Sequence, residues 1–405
     1  MAGETIMGLN GNEAVAYAVK QVTPDVMAAY PITPQTLIVE RFSEYVADGE
    51  VDTDFINVES EHSAMSCMVG ASLSGARTFT ATASQGLALM HEILFVASGL
   101  RCPIVMAVVN RALSAPINIH CDHSDSMASR DSSWVQLYVE DAQEAYDTTI
   151  QAFRIAEHPR VQLPVMVMLD GFILSHTTMR VSVLPDAAVK EFVGARTFAK
   201  VKVMGREVPY RIDAENPMTF GPLVLWDYYF EIKRQQEEAM RSALGAIRAI
   251  NGEYAAMSGR AYGNGLFESY RLEDADVAII CLGSTAGTVK AVVDRLRGSA
   301  KVGLVRLRSF RPFPAHELAE AIGHLKAVGV LDRSMSIGAL GGPLFNEVRS
   351  ALYDREERPL VANYIYGLGG RDMPDGSVEH VYRDLQGIAR ERRVKRLIQF
   401  VGVRE

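Results

Sequence analysis

The sequence lacks the patterns by which a chain usually binds zinc or an iron–sulfur cluster. Its 405 residues include only four cysteines, and no two of them form a CxxC pair. Without such pairs the sequence predicts no metal or cluster site on this chain, and widely spaced cysteines are typical of reduced, buried thiols. The cysteines are Cys67, Cys102, Cys121 and Cys281. Any redox centre that the protein serves is therefore expected on another chain.

Long apolar runs and an excess of positive charge are missing too. No apolar run approaches the roughly 18 residues that span a bilayer, and the opening segment MAGETIMGLNGNEAVAYAVKQ does not have the form of an export signal. The formal net charge of −8 argues against non-specific binding to nucleic acid or to an anionic membrane. We therefore expect a cytoplasmic protein with neither nucleic acid nor membrane as a partner.

The glycine-rich loops of common nucleotide-binding folds are also absent. No G-x-G-x-x-G opens a helix after a strand, and no Walker phosphate loop occurs. The run GLGGRD (367–372) predicts no more than a tight turn. The run HCDHSD (120–125) offers possible metal ligands, but they are nearly adjacent, unlike the separated pairs of most zinc sites. We favour a polar loop near a functional site for this run.

What the sequence does contain is an alternation of short apolar runs with helical patterns. Hydrophobic residues make up 48% of the chain and charged residues 22%, an ordinary globular balance. The apolar runs lie at 25–30, 54–59, 78–83, 103–110 and 164–170. Their near-continuous apolarity is typical of strands that are covered on both faces, and their alternation with helices predicts βαβ units in a parallel sheet.

The chain is long enough for two or three domains. We expect a first α/β domain at 1–200 and a polar, turn-rich connecting arm with a charged helix at 201–261. A second, smaller α/β domain is expected at 262–378, where the strand–helix alternation resumes. Residues 379–405 are expected to form a polar, helical C-terminal tail.

Polar residues follow the predicted strands of the first domain at their carboxyl ends, which is where open parallel sheets bind ligands. They are Thr33, Glu61, Ser84, Gln85 and Arg111. Scattered surface residues would not be expected to line up in this way. The sequence therefore predicts a site at this edge of the sheet.

Each of these residues has a structural alternative. Glu61 also suits a first-turn acid that the helix dipole favours, and Glu59 competes with it from the end of the preceding strand. Arg111 suits an ion pair as well as a bidentate clamp for a carboxylate. Ser84 is also a candidate helix cap. The sequence alone leaves these alternatives open.

The loop AYPITPQT (28–35) leaves the first of these strands through two prolines. Each proline fixes its own φ and keeps the preceding residue out of the helical region. Pro31 and Pro34 therefore predict a stiff turn around Thr33. This turn either serves only to redirect the chain, or holds Thr33 against a ligand.

The ordered motifs AYPITPQT, VESEHSAM, TATASQGLALMHE and VVNRALSAPINI resemble the α subunit of the 2-oxoacid:ferredoxin oxidoreductases, most closely the pyruvate:ferredoxin oxidoreductases. LRSFRPFP (307–314) and YGLGGRD (366–372) resemble the second domain of the same subunit. The resemblance covers nearly the whole chain. It implies a pyrimidine-type thiamine diphosphate-binding domain with a parallel sheet, followed by a smaller α/β domain like the C-terminal domain of transketolase.

The resemblance also implies an activity and a division of labour. The family converts pyruvate, coenzyme A and oxidised ferredoxin reversibly into acetyl-CoA, carbon dioxide and reduced ferredoxin. Thiamine diphosphate is shared with a β subunit, which supplies the half-site for diphosphate and Mg²⁺. Iron–sulfur clusters lie on partner subunits, which include a γ subunit and a ferredoxin-like δ subunit. This chain would then be active only within a hetero-oligomer.

By motif, the resemblance implies that Glu61 is the catalytic glutamate bonded to the aminopyrimidine ring, with Pro31 also at the cofactor. Thr33 and Arg111 match the residues that bind the carboxylate and carbonyl end of the substrate. We expect Glu61, Thr33 and Arg111 to gather around one crevice that a companion polypeptide completes.

One segment departs from the family pattern. Relatives often have an aromatic-rich stretch after SAPINI, whereas this chain has HCDHSDSMASRD (120–131). Another 2-oxoacid, such as 2-oxobutyrate, 2-oxoglutarate or oxalate, therefore stays open as the substrate, and so does a non-catalytic assembly role. For the basic run at 304–313, which contains Arg306, Arg308 and Arg311, we favour packing or interface arginines over contacts with coenzyme A or an acidic carrier.

Overall fold

The computed structural model describes residue 3 and residues 5–404. The strands are β1 (Thr5–Leu9), β2 (Val26–Ala29), β3 (Asp54–Asn57), β4 (Thr78–Thr82), β5 (Val105–Asn110), β6 (Val135–Tyr138), β7 (Val165–Asp170), β8 (Met179–Val183), β9 (Lys200–Val203), β10 (Arg206–Pro209), β11 (Phe267–Tyr270), β12 (Val277–Cys281), β13 (Val302–Leu307), β14 (Ser309–Arg311), β15 (Ala327–Asp332), β16 (Leu360–Ile365) and β17 (Ile398–Phe400). The helices are α1 (Gly11–Val22), α2 (Thr36–Ala47), α3 (Glu61–Leu73), α4 (Ser84–Leu89), α5 (His91–Gly99), α6 (Ser124–Ala128), α7 (Ala142–Ala156), α8 (Asp186–Val193), α9 (Tyr229–Ser258), α10 (Thr285–Leu296), α11 (Ala315–Ile322), α12 (Pro343–Leu352) and α13 (Asp375–Glu391).

The first large sheet has seven strands in the order β14-β6-β7-β5-β4-β2-β3. Its six strands from β2 to β7 run parallel, and only β14 joins antiparallel, through β6. Every residue of β4, β5 and β7 is buried, as expected for strands covered on both faces. All five apolar runs predicted as strands belong to this sheet, so the predicted parallel α/β fold is confirmed.

The second large sheet has six strands in the order β11-β13-β12-β15-β16-β17, with β11 alone antiparallel. Its two faces belong to different cores. Alternate residues of β12 pack with α10 and α13 in a separate cluster, whereas the intervening Ala278 and Ile280 join the large core of the first sheet. The two α/β units therefore share a continuous apolar interior.

Buried ion pairs reinforce this contact between the units. Arg306 and Arg308, both on the second unit, bind the carboxylate of Glu144 on α7 at 2.6 and 2.9 Å. Arg306 also contacts Glu140 and Glu268. These two arginines are therefore packing groups between the units, as we favoured from the sequence.

The connecting segment contains an antiparallel hairpin, β9 with β10, and the 30-residue helix α9. Just before and at the start of α9 lie exposed apolar side chains, with Leu223 90% and Trp226 91% exposed. Among the described residues, no helix combines the length and apolarity needed to cross a membrane.

The C-terminal residues join the second sheet. The expected boundary at 378 falls inside α13, and β17 pairs in parallel with β16. Helix α13 packs against β12, β15 and β16. Residues 379–404 thus contain a strand of the second sheet in addition to the expected helix.

Candidate functional site

The loop between β2 and α2 is held by polar side chains as well as by its prolines. Gln35 donates from Nε2 to the carbonyl oxygen of Ala81 at 2.9 Å, and its Oε1 accepts from the amide of Ile32. Asn12 donates to the carbonyl oxygen of Pro34 at 2.8 Å. Thr33 itself is exposed. The loop therefore presents Thr33 from a backbone that is anchored on both sides.

Arg111 follows β5 and reaches this loop. Its Nη1 donates to the carbonyl oxygen of Thr33 at 2.9 Å, and its Nε donates to that of Asn118 at 3.1 Å. The side chain is largely buried, since Arg111 is 8% exposed. Among the described residues, Nη2 has no hydrogen-bond partner. The structure thus joins two of the sequence-predicted residues and leaves one guanidinium nitrogen available to an anion.

Glu61 is the first residue of α3 and is 7% exposed. Its carboxylate has no hydrogen-bond or ion-pair partner anywhere in the described part of the chain. It lies against Gly86 of α4, where an added Cβ would come within 2.6 Å of Glu61 Oε1 and 2.4 Å of Thr82 Oγ1. The Thr82 hydroxyl is also buried without a partner. Two oxygen groups without partners in the described part of the chain therefore pack against a glycine, because a larger residue at position 86 would collide with both.

The competing acid, Glu59, lies on the surface. It is exposed, and its carboxylate accepts a hydrogen bond from the Ser63 hydroxyl. Ser60 caps α3 by accepting from the amide of Ser63 at 3.2 Å. Because the helix begins directly after Ser60, Glu61 lies in its first turn with a buried side chain, whereas Glu59 precedes the helix and remains exposed.

A buried carboxylate from the run at 120–125, for which the sequence favoured a polar loop near a functional site, lies next to these residues. Asp125, on α6, accepts from the backbone amides of Ser84 and Arg111, both at 3.0 Å. Asn110 and the amide of Ser126 donate to its other oxygen at 2.8 and 2.7 Å. Burial raises the pKa of Asp125 to about 6, against the lowering effect of these four donors.

The remaining part of the run at 120–125 lies between the two units. Cys121, His123 and Asp170 place one potential ligand atom each within 4.8 Å of one another. His123 Nε2 is already paired with Asp170 Oδ1 at 2.7 Å, and Arg333 Nη1 contacts Asp170 Oδ2 at 3.0 Å. Burial raises the pKa of the Cys121 thiol well above its usual range. His123, Asp170 and Arg333 form a hydrogen-bonded network between the units, and the Cys121 thiol lies beside it.

Asp170 also caps a helix of the second unit. Its carboxylate accepts from the backbone amide and the hydroxyl of Ser284, which precedes α10. Burial alone would raise the pKa of Asp170, but the charges of His123 and Arg333 hold it well below its usual range. The carboxylate of Asp170, in the first unit, thus accepts hydrogen bonds from the residue that precedes α10 in the second unit.

The glycine-rich run at 367–372 does more than turn the chain. Asn118 donates from Nδ2 to the carbonyl oxygen of Gly369 at 3.1 Å, and the amide of Gly369 donates to Asp122 at 3.2 Å. An added Cβ at Gly369 or Gly370 would come within 2.4 Å of Asn118 or His120. The second unit therefore packs closely against the loop that follows Arg111.

Comparisons with known proteins agree with this architecture. A 2-oxoglutarate:ferredoxin oxidoreductase from Magnetococcus marinus, with 2-oxoglutarate, coenzyme A and succinyl-CoA bound, superposes with a TM-score of 0.71 at 21% identity. The match covers 95% of this chain and 66% of that one. A split-gene transketolase in an inactive β4 tetramer gives a TM-score of 0.52 at 14% identity, over 95% and 98% of the two chains. The fold is thus that of the 2-oxoacid oxidoreductases and transketolases.

Sequence families narrow this class. The family described as "Pyruvate flavodoxin/ferredoxin oxidoreductase, thiamine diP-bdg" matches residues 17–251, and "Pyruvate:ferredoxin oxidoreductase core domain II" matches residues 275–378. The chain belongs to the pyruvate:ferredoxin oxidoreductase family.

Full-length relatives are similar throughout. Pyruvate synthase subunit PorA of Thermotoga maritima is 53% identical over 98% of both chains. The subunit of the same name in Methanocaldococcus jannaschii is 50% identical over 93% of this chain and 94% of its own. Ketoisovalerate oxidoreductase subunit VorA of Pyrococcus abyssi is 42% identical over 97% and 96%.

Proposed function

We propose that this chain is the α subunit of a pyruvate synthase, which catalyses the reversible, coenzyme A-dependent oxidative decarboxylation of pyruvate with ferredoxin as electron acceptor. The observation that carries the proposal is the pairing of Arg111 with the Thr33 loop at the sheet edge where the buried, unpartnered Glu61 lies. Similarity of 50–53% to two subunits named pyruvate synthase supports pyruvate as the substrate over the branched acid of the 42% relative.

The residues present fit half of a thiamine diphosphate site. Glu61 offers an unpartnered carboxylate and Thr82 an unpartnered hydroxyl, and Gly86, which has no side chain, lets both oxygens lie against the start of α4. We assign Glu61 to the aminopyrimidine ring, and we assign Pro31, which is exposed on the loop after β2, to the same cofactor. When bound, the cofactor supplies the carbanion chemistry of decarboxylation.

The chain's own residues then do three things. Glu61 holds or shares a proton at a ring nitrogen, which a carboxyl group in a water-poor pocket does efficiently. Arg111 binds the substrate carboxylate through its available Nη2, with the planar geometry that suits a carboxylate. Thr33 presents its hydroxyl to the carbonyl end of the substrate from a loop that loses little entropy on binding.

The other components are proposed on other chains. The described residues contain half of a cofactor site, so we assign the diphosphate and Mg²⁺ to a β subunit. Iron–sulfur clusters are assigned to partner subunits that include a ferredoxin-like δ chain, with a γ subunit completing the complex and external ferredoxin accepting electrons. We expect the assembled enzyme in the cytoplasm.

Reconstitution tests this function. The chain is expressed alone and together with its partner subunits, and pyruvate-dependent dye reduction is measured with thiamine diphosphate, Mg²⁺ and coenzyme A. We expect activity only in the assembled complex. Turnover by the chain alone contradicts the half-site, and an assembled complex that prefers 2-oxobutyrate, 2-oxoglutarate, oxalate or 2-oxoisovalerate contradicts the choice of pyruvate.

A further inference from the structure

The loops after β4 and β5, which carry the two halves of the candidate site, are joined through a closed ring of hydrogen bonds. The amides of Ser84 and Arg111 both donate to Asp125 Oδ2 at 3.0 Å. The Ser84 hydroxyl donates to the carbonyl oxygen of Ala112 at 2.7 Å. Ser84, Asp125 and the Arg111–Ala112 peptide therefore form one ring, in which every member is held by at least two bonds.

Two members of this ring, Arg111 and Ser84, connect it to the candidate site. Arg111 carries the guanidinium that contacts the Thr33 loop. Ser84 begins α4, which carries Gly86 against the Glu61 carboxylate two residues later. Ser84 has a φ of +45°, a conformation that side-chain-bearing residues adopt only when their surroundings hold them there. The ring supplies that restraint.

The chemistry of Asp125 is specific to a carboxylate. All four of its partners are donors: the amides of Ser84, Arg111 and Ser126, and the side-chain amide of Asn110. An ionised carboxylate accepts at both oxygens, whereas an asparagine accepts at one and donates at the other. Either orientation of an asparagine here therefore sets its NH₂ group against two donors.

We propose that Asp125 is a positioning residue that fixes Arg111 relative to α4, and so sets the distance between the substrate-binding guanidinium and the Glu61 pocket. Asp125 is 2% exposed, and it contacts Arg111 and the start of α4 through their backbone amides. The inference rests on the proposed function, because it assigns the substrate carboxylate to Arg111.

The chain offers a matched control in Asp332. It is also 2% exposed, its pKa is also raised to about 6 by burial, and it accepts only from donors, namely the amides of Leu344 and Phe345 and the side chain of Asn363. Asp332 lies at the end of β15 in the second sheet. Replacing it with asparagine sets an NH₂ group against one or two donors, depending on its orientation, and removes no hydrogen bond of the ring.

The test compares Asp125→Asn with Asp332→Asn in the assembled complex. Because misplacing a binding group by about 1 Å lowers catalytic efficiency by about 100-fold, we expect Asp125→Asn to raise the KM for the 2-oxoacid at least tenfold. The KM for coenzyme A should not change, and Asp332→Asn should change neither constant. Ser84→Ala, which removes the hydroxyl contacts with Ala112 and Gln85 but keeps the Ser84 amide, should raise the KM for the 2-oxoacid to a smaller extent.

A measurement that does not require turnover tests the positioning role of Asp125 separately from the proposed function. Hydrogen exchange on the full chain should accelerate at the amides of Ser84 and Arg111 in Asp125→Asn, and at those of Leu344 and Phe345 in Asp332→Asn. Unchanged exchange at Ser84 and Arg111, or equal changes in both KM values, overturns the positioning role. A wild-type complex that consumes no 2-oxoacid instead overturns the proposed function. The exchange experiment still tests whether Asp125 holds the amides of Ser84 and Arg111.

Discussion

Arg111 contacts Thr33 through the backbone carbonyl oxygen, at 2.9 Å from Nη1, and leaves the threonine side chain exposed. The contact joins the loop after β2 to the loop after β5 before any ligand arrives. It fixes the guanidinium by one charge-assisted bond to Thr33 and a second to Asn118. The substrate therefore meets a preorganised cation, and the Thr33 hydroxyl remains available to it.

Replacing Arg111 with lysine tests this preorganisation. Lysine keeps the charge but lacks the planar fork that reaches two carbonyl oxygens and still leaves a nitrogen available. Since hydrogen bonds to charged groups contribute about 1.5–3 kcal/mol, we expect the KM for pyruvate to rise about 10- to 100-fold in the assembled complex. Arg234→Lys is the control, because Arg234 is exposed on α9 and pairs with Glu238 of the same helix. Equal KM values for Arg111→Lys and wild type would exclude substrate binding by Arg111.

The acids at positions 59 and 61 offer a matched pair. Glu61→Gln removes the proton-sharing group from the pocket, and we expect kcat to fall about 100- to 1,000-fold, as when one preorganised catalytic group is lost. Glu59→Gln changes an exposed side chain bonded to Ser63, and we expect full activity. Steady-state rates of both assembled variants decide between the acids. Full activity of Glu61→Gln would revive a non-catalytic role for the chain.

Gly86→Ala tests the space beside Glu61. The new methyl group would lie 2.6 Å from Glu61 Oε1 and 2.4 Å from Thr82 Oγ1, so both side chains or the start of α4 must move. We expect weaker thiamine diphosphate binding in the assembled complex, measured by calorimetry. Gly70→Ala in α3 is the control, because nothing lies within 4 Å of its Cβ position and alanine favours a helix by about 1 kcal/mol. Unchanged cofactor affinity in Gly86→Ala would separate this glycine from the site.

The sequence predicted those parts of the fold that depend on local patterns. Runs of apolar residues identified β4, β5 and β7, because strands covered on both faces need them. The run at 25–30 identified β2, and the run at 54–59 identified β3, although β3 lies at the sheet edge and three of its four residues are exposed. The strand β6 was missed, since its four residues VQLY are interrupted by Gln136, whose buried amide binds the carbonyl oxygen of Ser126. The three-residue β14 joins the first sheet from the second unit, and no local pattern records such a pairing.

The residues of the candidate site likewise include some that the sequence identifies and some that it does not. Glu61, Thr33 and Arg111 could be selected because they follow strands and match known motifs. Asp125 lies in the run at 120–125 for which the sequence favours a polar loop near the site, but its contacts could not be predicted, because its partners are mostly backbone amides, which every residue type offers. Gln35 and Asn12 likewise act on backbone carbonyl oxygens. Roles that arise from contacts between segments distant in sequence leave no pattern in either segment.

The contact of Asp170 with Arg333 should be a large source of stability between the units. Asp170→Asn leaves Arg333 buried without its charged partner, and removing one partner of a buried pair typically costs about 3–5 kcal/mol. We expect a loss of this size in urea unfolding. Asp276→Asn is the control, since Asp276 pairs with Lys326 on the surface and such pairs contribute about 0–1 kcal/mol. Similar losses in both variants would show that the buried pair contributes no more than an exposed one.

The dependence of stability on pH should have two limbs of opposite sign. Asp170 has a pKa below its unfolded value of about 3.9, so its contribution is present above that pH and is lost as the pH falls further. Asp125 and Asp332 have pKa values raised to about 6. Between about pH 4 and 6 the folded chain therefore binds more protons than the unfolded chain at these two groups, and their effect lowers the unfolding free energy as the pH rises.

Asp332→Asn isolates the contribution of Asp332 to the pH dependence of the unfolding free energy between about pH 4 and 6. A shift of about two pKa units corresponds to about 3 kcal/mol, so the difference in unfolding free energy between wild type and Asp332→Asn should change by up to about that amount from pH 4 to pH 7. The change should favour the variant as the pH rises, because asparagine has no proton to lose. Urea unfolding at half-unit pH steps measures it. A difference that stays constant across this window would mean that the Asp332 carboxyl has the same pKa in the folded and unfolded chains.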